Sequence, residues 1–209
     1  MTGLNILLVE GTDDEKFVEA LLAAHNMKGN FHIKVKGGAP NLLRTLRVEL
    51  QEAELGSLGV IIDADVSATD RWRSVQGILT NASSPGIPAE PKADGTVISA
   101  QGKASVGVWI MPDNSSAGML EDFAASLTTP HDPLLPRAKQ CVEAIPLDQR
   151  RFGDKQSKAI IHTWLAWQEE PGVKMGAAIT RRYFDENAAA ATAFISWLQS
   201  LAAAAIDPE

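Results

Sequence analysis

The 209-residue chain has a single cysteine, Cys141, so it forms no disulfide within itself and offers no cysteine cluster to zinc. No apolar run approaches the ~18 residues needed to cross a bilayer. The opening stretch MTGLNILLVEG has no basic n-region and runs at once into acidic residues, so no signal peptide is expected. These shortages point to a cytoplasmic protein that does not use a membrane. Excess positive charge is also missing. The net charge is −7, which argues against a protein that coats nucleic acid without regard to sequence. Nor does the chain contain a Gly-x-x-x-x-Gly-Lys-Ser/Thr phosphate loop, a Gly-x-Gly-x-x-Gly after a strand, His-Glu-x-x-His or Gly-x-Ser-x-Gly.

What is present is ordinary for a globular protein: 45% hydrophobic and 22% charged residues, in a length suited to one large domain or one domain with an extension. The charge is unevenly spread. Residues 1–136 carry 10 Lys and Arg against 17 Asp and Glu, a net of −7. Residues 137–182 carry 9 against 5, a net of +4, and residues 183–209 carry none against 4. The bland reading of the basic stretch is a solvated surface. The alternative is a surface for phosphates.

Short apolar runs at 4–9, 58–62 and 106–111 read as strands covered on both faces. Residues 31–35 alternate as a strand does, and 96–99 is a further short candidate. Between them, helices are expected at 13–25, capped by Thr12 or Asp13, and at 41–55, 70–79 and 118–127. The Pro-, Gly- and Ser-rich stretch 83–104 reads as an excursion from the sheet. Strands alternating with helices imply an α/β fold with a mainly parallel sheet. After Pro136 only helices are expected, at 137–144, 157–169 and 188–205. The division is then an α/β domain over 1–130 and a helical extension over 131–209 packed on it.

The acidic residues fall at comparable places. Glu10 follows the first strand, Asp63 and Asp65 follow the third, and Asp113 follows the last. Carboxyl ends of parallel strands share one edge, where sites are built. Asp63 and Asp65, two apart on extended chain, point to one side. Oxygen donors without His or Cys partners suit Mg²⁺ or Mn²⁺, and such acids repel one another strongly without a cation.

The segments LLVEGTDDEKF, from Leu7, and VIIDADVSATD, from Val60, together resemble the Toprim domain. That domain is shared by topoisomerases, bacterial-type primases, recombination-repair proteins and the overcoming-lysogenization-defect nucleases. Its signature is a glutamate and glycine after the first strand and Asp-x-Asp after a later one. The spacing Glu10-Gly11-x-x-Asp14 looks most like the nuclease branch, and MPDNSSAGMLEDF, from Met111, resembles a later acidic element there. The whole chain also resembles small Toprim-like bacterial proteins in which a tryptophan-rich helical tail similar to SKAIIHTWLAWQEEPG follows the core. The resemblance implies a Toprim-like Rossmannoid sheet over roughly 4–127. It implies Mg²⁺ or Mn²⁺ held by Glu10, Asp14, Asp63, Asp65 and Glu121, with Glu10, Asp63 and Asp65 in catalysis. The activity implied is phosphodiester chemistry, most simply a DNA or RNA nuclease. A non-catalytic nucleic-acid or protein binding module is the other reading. Tyr183, the only tyrosine, lies in the tail, so no topoisomerase nucleophile can be assigned. The partners left open are a nucleic acid, a second copy of the chain in a homodimer, or another protein; no membrane is expected.

Blander roles stand beside these. Asp13 suits a helix N-terminus, and Asp113 in Pro-Asp-Asn reads as a turn residue. Of the neighbours Glu121 and Asp122, one is expected to face solvent. Trp164, Trp167 and Trp197 fall at helical spacing and read as core, and His162 as a packed or surface residue. Arg150, Arg151, Lys155 and Lys158 are the candidates for nucleic-acid contact.

Overall fold

The structure, a computed structural model, describes residues 3–52, 54–82, 84, 86–99 and 103–204. Five strands form one sheet in the order β2-β1-β3-β5-β4. They are β1 (Leu4–Val9), β2 (His32–Val35), β3 (Leu55–Asp63), β4 (Thr96–Ile98) and β5 (Ser105–Met111). The first three and β5 are mutually parallel, and β4 runs antiparallel on the outer edge of β5. The central strands β3 and β5 are buried almost throughout, which is why their sequences read as continuous apolar runs.

Eight α-helices surround the sheet among the described residues. On one face lie α2 (Ala39–Glu49) and α3 (Ala68–Asn81), packed with Ile6, Leu8, Val60, Ile62, Val108 and Ile110. The alternate residues Leu7, Val9, Ile61, Trp109 and Met111 face the other layer. That layer holds α1 (Thr12–Ala24), α4 (Leu120–Ser126), α5 (Leu134–Glu143), α6 (Gln156–Ala166), α7 (Met175–Thr180) and α8 (Ala189–Ala204). The placement follows from topology. The chain leaves β1 toward β2 in one direction and leaves β3 toward β5 in the other, and right-handed crossovers then put α1 and α3 on opposite faces.

The C-terminal helix packs directly on the sheet. Gly59 and Gly107 are register partners on β3 and β5. A Cβ at Gly107 would stand 2.7 Å from Leu201 Cδ2, and one at Gly59 3.0 Å from the same atom. Two adjacent glycines thus open a shallow seat into which α8 settles. Phe194, Trp197, Leu198 and Leu201 are buried there, each contributing roughly 1.5–3 kcal/mol as an upper estimate. Trp197 Nε1 donates to the Thr96 carbonyl at 3.1 Å, tying α8 to the edge strand.

Several boundaries differ from the sequence expectation. The helix expected over 41–55 stops at Glu49, and Leu55 already belongs to β3, because Glu54 reverses the chain at φ 67°. Neither Thr12 nor Asp13 caps α1; Gly11 is the cap, and Asp14 reaches back to it. The short α7 was not expected. Trp164 and Trp197 are core, whereas Trp167 is 40% exposed. The end of the helix expected over 188–205 lies outside the described residues, as do parts of 83–104. Among the described residues, no helix is long and apolar enough to cross a membrane.

Candidate functional site

The strands β1 and β3 are neighbours from which the chain departs to opposite faces of the sheet. Such a switch point leaves a crevice outside the carboxyl ends of the two strands, where doubly wound proteins place their ligands. Glu10 directly follows β1, and Asp63 is the last residue of β3. Their placement therefore follows from the topology.

Backbone groups fix each acid. The Glu10 carbonyl accepts from Gly37 N at 2.8 Å and Gly38 N at 2.9 Å. Both glycines have positive φ, 74° and 104°, in the turn that leads into α2. Glu10 Oε1 accepts from Asp63 N at 2.8 Å, so the two strand ends are laced together through a site residue. Asp14, in the first turn of α1, accepts from Gly11 N at 3.0 Å. Asp63 Oδ1 accepts from Leu120 N at 3.0 Å, which draws the start of α4 onto the same crevice. The next residue, Glu121, is 4% exposed.

These acids act on one another. Burial, then Glu10, Asp14 and Glu121, push the Asp63 carboxyl up to about 8. Burial, then Glu10 and Glu121, raise Asp14 to about 6. Glu10 is also raised, chiefly by burial, against the opposing pull of the Asp63 N–H and the Arg71 charge.

Two cations flank the centre. On one side, Arg71 of α3 donates from Nε to the Asp63 carbonyl at 2.7 Å and from Nη2 to Asp65 Oδ2. Asp65 is half-exposed and adopts φ 53° in a bridge with Gly118. On the other side, Lys158 of α6 lies 3.1 Å from Glu121 Oε1 and 3.5 Å from Asp13 Oδ2. Burial lowers the Lys158 pKa, but Glu121 and Asp13 outweigh it and hold the group above its usual value.

The sequence-expected residues divide accordingly. Glu10, Asp14, Asp63 and Glu121 are electrostatically coupled, and Asp65, paired with Arg71, acts on them through Glu10. Their oxygens are not gathered round one point: among the described residues no three Asp, Glu, His or Cys side chains form a ready chelating set. Glu10, Asp14 and Asp63 instead each turn an oxygen to a backbone N–H. In donor type they nonetheless fit a hard divalent ion, since all are oxygen donors and burial leaves their charge poorly answered.

Asp113 is a turn residue, accepting from the N–H and hydroxyl groups of Ser115 and Ser116. Neither Glu121 nor Asp122 is left to solvent. Asp122 accepts from Met119 N at 2.9 Å and from Ser157 Oγ at 2.5 Å, joining α4 to α6. Arg150 is occupied by the carbonyls of Ile145 and Glu143, at 2.9 and 2.8 Å. Arg151 and Lys155 are exposed, and His162 is a surface residue. Arg71 is the residue that pattern reasoning missed. Its only signal was a position six residues beyond Asp65, in the first turn of a helix capped by Ser67.

The fold and site together define a doubly wound α/β protein with a buried acidic crevice at its switch point, closed on either side by a cation. The chain belongs to the family described as Protein of unknown function (DUF3226), whose sequence model matches residues 4–203. No curated protein and no solved structure matches the chain.

Proposed function

We propose that this protein is a Mg²⁺- or Mn²⁺-dependent enzyme acting on phosphodiesters, most simply a DNA or RNA nuclease. The observation that carries the reading is the burial and mutual coupling of Glu10, Asp14, Asp63 and Glu121 at the carboxyl ends of β1 and β3. The Toprim resemblance of the segments around Glu10 and Asp63 supports it. Glu10, Asp14 and Asp63 would hold the ion, with Asp65 and Glu121 as further donors. When bound, the ion supplies Lewis-acid stabilisation of charge on the phosphate and the leaving oxygen. Asp63, raised to about 8, and Asp14, raised to about 6, would have to give up protons to hold the ion, so affinity for it would rise with pH. Glu10, whose carboxylate accepts the Asp63 N–H at 2.8 Å, would also be placed for proton transfer.

A second reading, a non-catalytic binding module, is favoured by one observation. Asp65 and Glu121 already have protein cations as partners, which lessens the need for a metal. The two readings separate in one experiment. Melting temperature and cleavage of labelled single- and double-stranded DNA and RNA are measured with and without millimolar Mn²⁺. The enzyme reading requires a Mn²⁺-dependent rise in melting temperature and Mn²⁺-dependent cleavage, both lost in Asp63→Asn. A rise without cleavage of any substrate leaves the binding module. No rise in the wild type rejects the metal site.

A further inference from the structure

We propose that Arg71 is a phosphate-binding residue of this crevice, held in reserve on Asp65 and released to the substrate when a divalent ion takes Asp65. This rests on the reading of the crevice as a metal-dependent phosphodiester site.

Ser67 caps α3, and Arg71 lies in its first turn, directly after the loop that carries Asp63 and Asp65. Its Nε is fixed at 2.7 Å on the backbone carbonyl of Asp63. Its Nη2 is held by the Asp65 carboxylate. The two anchors differ in kind. A carbonyl is not a metal-competent acid with a charge to be claimed, so the Nε anchor persists whatever becomes of the carboxylates. The Asp65 partner is itself one of the acids at the crevice, and its side chain is 52% exposed while that of Arg71 is 15% exposed.

The blander alternative is a structural ion pair that pins the Asp63–Asp65 turn. A pair with one half-exposed member contributes only about 0–1 kcal/mol. The turn is already closed by two backbone bonds between Asp65 and Gly118, at 2.8 and 2.9 Å. The guanidinium is therefore not needed to form it. What Arg71 adds is a positive charge at the centre, felt at Glu10. An ion bound to Asp65 would neutralise the carboxylate and repel the guanidinium, which then requires another anion. Its planar fork, swung about the Nε anchor, matches two oxygens of a phosphate, a geometry that an ammonium does not reproduce.

Two effects of opposite sign follow. Removing the charge should tighten metal binding, while removing the fork should weaken phosphodiester binding. The full chain is studied as wild type, Arg71→Gln and Arg71→Lys. Calorimetry reads Mn²⁺ alone. Fluorescence anisotropy reads a labelled oligothymidylate in Ca²⁺. In Arg71→Gln, Mn²⁺ should bind roughly three- to tenfold more tightly, and the oligonucleotide about tenfold more weakly. Arg71→Lys should return the Mn²⁺ affinity to that of the wild type and leave oligonucleotide binding weak. It also keeps the charge near Asp65, so it serves if the glutamine variant fails to fold. Loss of both affinities together in Arg71→Gln would mean a structural role and overturn the proposal. So would unchanged oligonucleotide affinity in either variant, provided the wild type binds Mn²⁺. A wild type that binds no Mn²⁺ overturns the reading of the crevice itself and this proposal with it.

Discussion

Asp63 is the residue on which the cost of the crevice falls most heavily. Its carboxyl is buried among Glu10, Asp14 and Glu121, and one N–H, from Leu120, is its hydrogen-bond donor. In the unfolded chain it titrates near 4, and in the folded protein at about 8. The folded state therefore binds more protons between those values, so the Asp63 contribution to stability is present in full below about pH 4. It is lost as the pH climbs through about 8. Asp63→Asn removes that loss. In the absence of divalent ions, urea unfolding should show the stability of the mutant relative to the wild type rising by roughly 4 kcal/mol from pH 5 to pH 8, about three pH units at about 1.4 kcal/mol each. Equal differences at the two pH values would reject the buried charge. This residue was legible in the sequence because an acid directly after an apolar run falls at a strand end in any parallel sheet. Arg71 was not legible. Its meeting with Asp65 depends on a turn at φ 53° and on a helix that starts two residues earlier than its apolar spacing implies. Glu121 and Asp122 show the same limit. Adjacent helical acids look interchangeable in sequence, yet one enters the crevice and the other ties α4 to α6.

The helices reveal which sequence signals survive tertiary contact. Long apolar periodicities, as in α1 and α8, announced themselves. The six-residue α7 did not, being shorter than two turns and mostly Ala, Gly and Met. Its role lies in a close approach that periodicity does not encode. A Cβ on Gly176 would stand 2.5 Å from the carbonyl oxygen of Lys16 in α1. Gly59 and Gly107 face the movable ends of leucine side chains, but here the obstacle is backbone. Alanine at 176 gains up to about 1 kcal/mol of helix propensity. The forced separation of α7 from α1 costs typically 1–3 kcal/mol and should prevail. Gly176→Ala should lower the melting temperature. Because Lys16 is two residues from Asp14, it should also weaken the Mn²⁺-dependent rise in melting temperature. A Gly176→Ala protein as stable and as metal-responsive as the wild type would show that α7 does not position α1.

At the scale of the whole molecule, charge decides where a nucleic acid could lie. The chain is acidic, and the stretch 137–182 carries a net charge of +4. The sequence alone treated its nine basic residues as one surface. The fold separates them, because a cation near a carbonyl or carboxylate of its own chain is already occupied. Lys139 pairs with Glu143, Arg181 with Glu170, Lys158 with Glu121 and Asp13, and Arg150 holds the carbonyls that end α5. Arg151 and Lys155 make no such pair among the described residues. They precede Ser157, whose hydroxyl binds Asp122, the neighbour of Glu121, so the start of α6 forms a positive rim on the side of Lys158. Each phosphate contact on a single strand adds about 0.7 to the slope of log affinity against log salt. Arg151→Glu with Lys155→Glu should therefore weaken oligothymidylate binding in Ca²⁺ and flatten that slope by roughly 1.4, with little change in melting temperature. Arg150→Glu should do the reverse, destabilising the α5–α6 connection while leaving the slope nearly intact. If the double variant keeps both the affinity and the slope of the wild type, the nucleic acid does not cross this rim. A short nucleotide substrate that meets only the crevice would then be the better fit.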